Sequence, residues 1–232
     1  MNARLIIMLL MCCLSLQPLS AQEEEHYTKE FGVALGGNFM LNDVNQTAYG
    51  HTNVAGGALL RFILNPRMAI KTLLSYNIIG GDTKGVANFY PAVSDHASPE
   101  RLQASFSGGF TDLSAMYELH FLPYGYKRGY QNYRRFTPFV QLGFGLTYSD
   151  AGQAFTANFP VGCGMKWKVG PRINMALDWA MHFALSDKLD NIGAPTGIPT
   201  EMFRGKDHFC QTLLTFTYDF SKKCPACQRA EK

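Results

Sequence analysis

Seven side chains able to exchange protons, Arg61, Lys71, Glu118, His120, Lys166, Asp178 and His182, stand singly among glycine, alanine, threonine and asparagine. A carboxylate, an imidazole and an amine brought to one depth could take and return a proton, the chemistry of a lipid hydrolase or acyltransferase. No nucleophile stands at a recognisable spacing from a base. The reading taken is therefore an ion-pair network of Arg61, Lys71, Glu118, Lys166, Asp178 and His182 inside a narrow space, where an unpaired charge is costly. No catalytic residue, cofactor or metal is expected, and the protein is read as a non-enzyme. Cys224-Pro225-Ala226-Cys227 is the most conspicuous short motif. In an oxidising compartment it could close a local disulfide between Cys224 and Cys227, exchange with a partner thiol, or supply half of a zinc site. It lacks the helix that lowers a thiol pKa in thioredoxin-like folds, so a small disulfide loop or a bond to a partner is the expectation.

The elements that position these residues are strands. Period-two runs lie near 30 to 41, 53 to 64, 68 to 80, 104 to 122, 135 to 149, 154 to 169, 172 to 186 and 208 to 220, separated by turn residues. In the seventh run Ile173, Met175, Leu177, Trp179, Met181, Phe183 and Leu185 alternate with Asn174, Ala176, Asp178, Ala180, His182 and Ala184. The fifth run has one lapse, at Phe139. In the fourth, Gly108, Gly109 and Asp112 disturb the phase, which predicts a bulge or a strand end there.

Alternation alone also suits a soluble sandwich or a lipocalin-like barrel. Charge placement decides between them. The polar faces carry mostly Gly, Ala, Thr, Asn and Gln, with isolated Arg61, Lys71, Glu118, Lys166, Lys168, Asp178 and His182, and this suits a crowded interior better than water. The bulky faces must then point outward, which only lipid tolerates around a whole barrel. Aromatics support this: Phe31, Phe62, Phe121, Phe136, Trp167 and Tyr218 fall at one end of the outward face, and Phe39, Tyr76, Tyr148, Phe155 and Phe183 at the other. Phe136 and Tyr148 are twelve positions apart, or roughly 30 Å along the membrane normal at the usual strand rise and tilt. The outward cysteines Cys163 and Cys210 are expected to be lipid-facing fillers. An eight-stranded interior is filled by side chains, so no aqueous pore is expected.

Residues 1–21 read as a secretory signal peptide, with Arg4, the apolar run Leu5 to Leu16 and the small residues Ser20 and Ala21. Residues 22–220 then form the barrel and 221–232 a tail. The 232 residues are 47% apolar and 17% charged with net charge +3, which excludes disorder and leaves no basic footprint for nucleic acid. The short turns Asn65-Pro66-Arg67 and Gly170-Pro171-Arg172 share a side with both termini, which places that side in the periplasm. The longer segments near 42 to 52, 81 to 103 and 187 to 207 go to the cell surface. The stretch from Tyr124 to Arg134 is longer than a periplasmic hairpin needs and is rich in Tyr, Lys and Arg. Its residues Tyr126, Lys127, Arg128, Tyr130, Tyr133 and Arg134 are candidate partner contacts, with Lys222 to Lys232 second; the competing reading is that they meet lipid headgroups. The closing Phe216-Thr217-Tyr218-Asp219-Phe220 resembles the terminal signal by which barrel-assembly machinery recognises its clients.

Several stretches together resemble the family of small Bacteroidota outer-membrane barrels that includes PorG of the type IX secretion system. They are Glu30-Phe31-Gly32-Val33 with Gly36-Gly37-Asn38-Phe39; Asn65-Pro66-Arg67-Met68-Ala69-Ile70-Lys71; Asp112-Leu113 with Tyr117-Glu118-Leu119-His120-Phe121; Arg135-Phe136-Thr137-Pro138-Phe139; Asn158-Phe159-Pro160-Val161-Gly162 with Gly164-Met165-Lys166; and Asp207 through Phe220. The resemblance implies an all-β, eight-stranded antiparallel up-and-down transmembrane barrel of OmpX/OmpA-like architecture in the outer membrane. It also implies a structural part of the secretion machinery that docks periplasmic ring proteins without conducting cargo. The alternatives are a small lipid-modifying enzyme and a membrane-integrity barrel with no secretion role.

Overall fold

A computed structural model describes residues 27–41, 49, 51–82, 105–126, 133–150, 153–185, 189 and 207–222. The signal peptide, Lys127, Arg128, Tyr130, Cys224 and Cys227 lie outside the described residues. Eight strands follow in order: β1 (Tyr27–Leu41), β2 (Asn53–Asn65), β3 (Met68–Asp82), β4 (Ser105–His120), β5 (Phe136–Ser149), β6 (Ala154–Lys168), β7 (Ile173–Ala184) and β8 (His208–Lys222). Each pairs antiparallel with its chain neighbours, and β8 returns to β1 over the register from Tyr27 opposite Lys222 to Leu41 opposite His208. The sheet closes on itself. Closure gives every strand two partners, which hydrocarbon demands because it offers no water to an unpaired amide.

Tight turns at the termini end set the registers. Between β2 and β3 the Asn65 side chain accepts a hydrogen bond from the Arg67 amide at 2.8 Å, an Asx-type turn around Pro66. Ile63 pairs with Ala69 and Asn65 with Met68, so Leu64 is the extra residue of a bulge. Between β6 and β7 the amides of Val169 and Gly170 both donate to the Ile173 carbonyl, at 3.0 and 3.1 Å.

The outward face is apolar from end to end. Leu35, Val54, Leu142 and Phe155 each keep more than three-fifths of their surface uncovered, and Val33, Leu74, Val161, Phe144, Phe216 and Trp179 share that face. A continuous apolar exterior of this extent is stable only in lipid, and the chain is a membrane-spanning barrel.

Four expectations are corrected. β4 pairs with β3 without interruption from Ser105 to Leu119, and Asp112 keeps phase on the inward face, so there is no bulge at Gly108 to Asp112. Phe139 is not a lapse: it is buried in step with Thr137 and Gln141 on the lumen side, and a Cβ on Gly164 would strike its ring. Phe39 and Cys210 have outward parity but are buried, because Tyr49 lies against Phe39 at 4.5 Å between ring centroids and its hydroxyl is 3.1 Å from that of Thr212. Cys163 remains exposed. Finally, the inward face carries bulky apolar residues: Leu59, Leu73, Met116 and Leu213 pack with Ala34 and Ala55 as a layer across the lumen.

Trp167 and Trp179 are the two tryptophans, one near the termini end of β6 and the other midway along β7. In vesicles, Trp167→Phe should leave an emission quenched most by lipids brominated near the acyl-chain ends, and Trp179→Phe one quenched most by bromine near the headgroups. Equal quenching at both depths would contradict the assigned depths.

Candidate functional site

Six ionisable residues converge in the lumen toward the termini end, each from a different strand. Lys166 (β6) meets Glu30 (β1) at 2.6 Å, Glu30 meets Arg61 (β2) at 2.6 Å, and Arg61 meets Glu118 (β4) at 2.7 Å. Glu118 continues to Lys71 (β3) at 3.4 Å, and Lys71 to Asp178 (β7) at 3.2 Å. The signs alternate along the chain, three cations against three carboxylates, and all six side chains are buried. The Thr217 hydroxyl adds a hydrogen bond to Glu30 at 3.1 Å. His120 sits 3.5 Å from Glu118 and edge-on to the rings of Phe139 and Tyr124.

Sequence reasoning named Arg61, Lys71, Glu118, Lys166 and Asp178 but missed Glu30, the carboxylate joining two of the cations. Its signal was present, since Glu30 shares parity with Gly32 and Ala34 on the inward face. His182 does not join this network. It lies toward the other end, 3.7 Å from Asp112 and with Nδ1 3.1 Å from the Asn158 carbonyl oxygen. There the Asn158 amide donates to Asp112 at 2.6 Å and to the Thr147 hydroxyl at 2.7 Å, and Thr147 donates to Asp112 at 2.8 Å. A side chain on Gly145 would collide with the Asn158 amide, its Cβ falling 2.6 Å from the carbonyl oxygen. The apolar layer of Leu59, Leu73, Met116 and Leu213 lies between the two polar groups.

Both mouths are filled. At the termini end the Tyr124 hydroxyl donates to Asn174 at 2.8 Å, and the ammonium groups of Lys166 and Lys168 stand 4.6 and 5.6 Å from its ring centre. Burial pushes the Tyr124 hydroxyl pKa up, so it stays a neutral donor. Lys168 pairs with Asp219, which also accepts from Asn174. At the loop end Met40, Ile79, Phe110, Ala184, Leu189 and Phe209 form an apolar stopper, with the His182 ring stacked on Phe209. The Leu189 amide donates to Asp207 at 2.8 Å, holding this loop residue in the mouth. Among the described residues, side chains occupy the lumen from one mouth to the other.

No protein-family model matches the chain, and no curated protein does. Among solved structures it is similar to the N-terminal β-barrel domain of Pseudomonas aeruginosa OprF, at 12% identity and TM-score 0.45, covering 84% of this chain and 99% of that one. It is also similar to Ail, the attachment invasion locus protein of Yersinia pestis, at 14% and 0.44, covering 85% and 100%. Neisserial surface protein A matches at 9% and 0.44, again covering 85% and 100%. At such identities nothing of those proteins' activities passes to this chain.

Of the proposed contact residues outside the lumen, the described ones divide. Tyr126 lies beneath the Arg135 guanidinium at 4.2 Å, and Arg134 is exposed. Tyr133 is buried against Gly125 and offers no face to a partner, correcting its inclusion. Hydrogen bonds from the Gly125 amide to the Arg134 carbonyl and from the Arg134 amide to the Pro123 carbonyl clasp this connection at its base, and the close approach at Gly125 leaves room for the Tyr133 ring alone.

Neutralising Glu118 removes one of the two carboxylates paired with Arg61 and one of the two paired with Lys71, and leaves three buried cations against two carboxylates. Glu118→Gln should lower folding stability by about 3–5 kcal/mol, the range for removing one partner of a buried pair. Urea titration in vesicles would measure it, and a loss no larger than that of an exposed polar substitution would show that the network is not needed for folding.

Proposed function

We propose that this protein is a non-enzymatic outer-membrane barrel that acts as an anchor, its termini end in the periplasm, and that it docks the periplasmic ring proteins of a type IX secretion machine. The observation that carries the reading is the packed lumen. A barrel plugged by matched ion pairs, an apolar layer and an apolar stopper has no path for a solute. Glu30, Glu118, Asp178 and Asp219 are paired with buried arginine and lysine, so the rim is what the barrel can offer to a partner. The resemblance to the PorG-containing family supplies the choice of partner.

Within that rim the connection between β4 and β5 is the docking element. Its two ends are held by Tyr124 in the lumen mouth and by the clasp to Arg134, which spares a partner the cost of ordering those ends. Tyr126, stacked under Arg135, and exposed Arg134 are an aromatic and a basic anchor of the kind enriched at contact centres. Lys127, Arg128 and Tyr130 extend the same stretch.

A photocrosslinker at position 126 or 134 in cells should trap ring proteins, while one at Leu142 on the lipid face should not. Purified barrel in planar bilayers should show no sustained ion conductance. Altered lipid A in a deletion strain without any crosslink would favour the lipid-modifying alternative.

A further inference from the structure

A different sector of the same rim bears charge of one sign. Along the turn into β7, the end of β8, the start of β1 and the turn into β3, the exposed or half-buried charges among the described residues are Arg172, Lys29 and Arg67. The carboxylates of those strands at this end, Glu30 and Asp219, are turned into the lumen and matched there. Glu23, Glu24 and Glu25 precede β1 outside the described residues.

Two of these cations lie sideways on the aromatic belt. The Arg172 guanidinium stands 5.1 Å from the centre of the Tyr27 ring and donates to the Tyr218 hydroxyl at 3.0 Å. Lys29, two residues from Tyr27 on the same outward face, has its ammonium 5.8 Å from the Phe62 ring centre. Tyr218 and Phe31, paired across β8 and β1, are exposed to lipid just above. Belt aromatics sit at headgroup depth, and cations resting on them are held at that depth too. The planar Arg172 guanidinium, held by Tyr27 and Tyr218, fits phosphate oxygens, and the Lys29 ammonium over Phe62 on β2 adds positive charge along the same belt. A protein approaching end-on would meet the turn tips first, whereas a headgroup arrives from the side on which these rings lie.

We propose that Arg172 and Lys29, with Tyr27 and Tyr218, form a binding site for the phosphate of an anionic lipid headgroup in the leaflet at the termini end of the barrel. The site is separate from the docking connection between β4 and β5. It fixes the rotation and depth of the barrel about that side, and it would stand whether or not a ring protein docks.

The test uses the full chain folded in micelles containing equimolar phosphatidylglycerol and phosphatidylcholine with identical acyl chains, with retained lipid read by native mass spectrometry. The wild type should keep phosphatidylglycerol preferentially. Arg172→Gln with Lys29→Gln should reduce that preference on the order of tenfold, from the usual worth of two basic groups at a lipid surface. The charge-keeping Arg172→Lys should retain part of it, and Asp150→Asn, exposed at the opposite end of the barrel, should leave it unchanged. Heat-resistant gel mobility establishes that each variant is folded. Equal retention of the two lipids by the wild type, or an unchanged preference in the double variant, would overturn the site. Crosslinking at position 126 is scored separately; loss of crosslinking with intact lipid preference in the double variant would mark this sector as a protein face and also overturn the proposal.

Discussion

Hydrocarbon offers a backbone amide no partner, and a β-sheet placed in it must therefore supply both neighbours of every strand from the chain itself. The last strand has to find the first, and here β8 pairs with β1 over fourteen positions of register. Closure in turn sorts the side chains. With a period of two, one set faces lipid and must be apolar, and the other faces a lumen only a few side chains across. Every other feature of the structure answers the second half of that constraint: what can fill so narrow a tube.

The filling is layered. A capped mouth with Tyr124, Lys168 and Asp219 comes first, then the alternating chain from Lys166 to Asp178, then the apolar layer around Leu59 and Met116, then the cluster around Asp112 and Asn158, then the stopper around Phe110 and Phe209. Charges buried in this way gain little over a hydrophobic filling of equal volume, but each is costly to leave single. The arrangement meets that cost by sharing: Glu30, Arg61, Glu118 and Lys71 each contact two partners of opposite sign. Because the six residues come from six strands, the network also ties together parts of the barrel that backbone pairing joins only to immediate neighbours.

That filling shapes what the molecule can do. A packed lumen leaves the exterior and the two rims as working surfaces. At the termini end the rim carries two tight turns four strands apart, at Pro66 and at Pro171, and between them the longer clasped connection from β4 to β5, whose Tyr124 amide donates to the Pro66 carbonyl. The clasp is tied to the lumen through Tyr124, whose hydroxyl and ring engage Asn174, Lys166 and Lys168.

Alternation in runs such as that from Ile173 to Ala184 was enough to locate the eight strands to within a few residues, and the scarcity of charge on the small-residue faces was enough to say which face meets lipid. Both are local properties of a strand in a two-sided environment, so the sequence by itself determined them. Doubled apolar residues, Leu59 with Leu60, Leu73 with Leu74 and Leu213 with Leu214, did mark inward apolar positions, but a doubled residue does not say which member turns inside. The depth of each lumen residue depends on the shear between strands, which no single strand encodes. Hence only the closed structure joined Glu30 to Arg61 and Lys166, set His182 apart with Asp112, and hid Cys210 beneath Phe39 and Tyr49. Sequence fixes the parity of a side chain because parity is counted along one strand; partnership is counted across strands, and the tertiary register alone decides it.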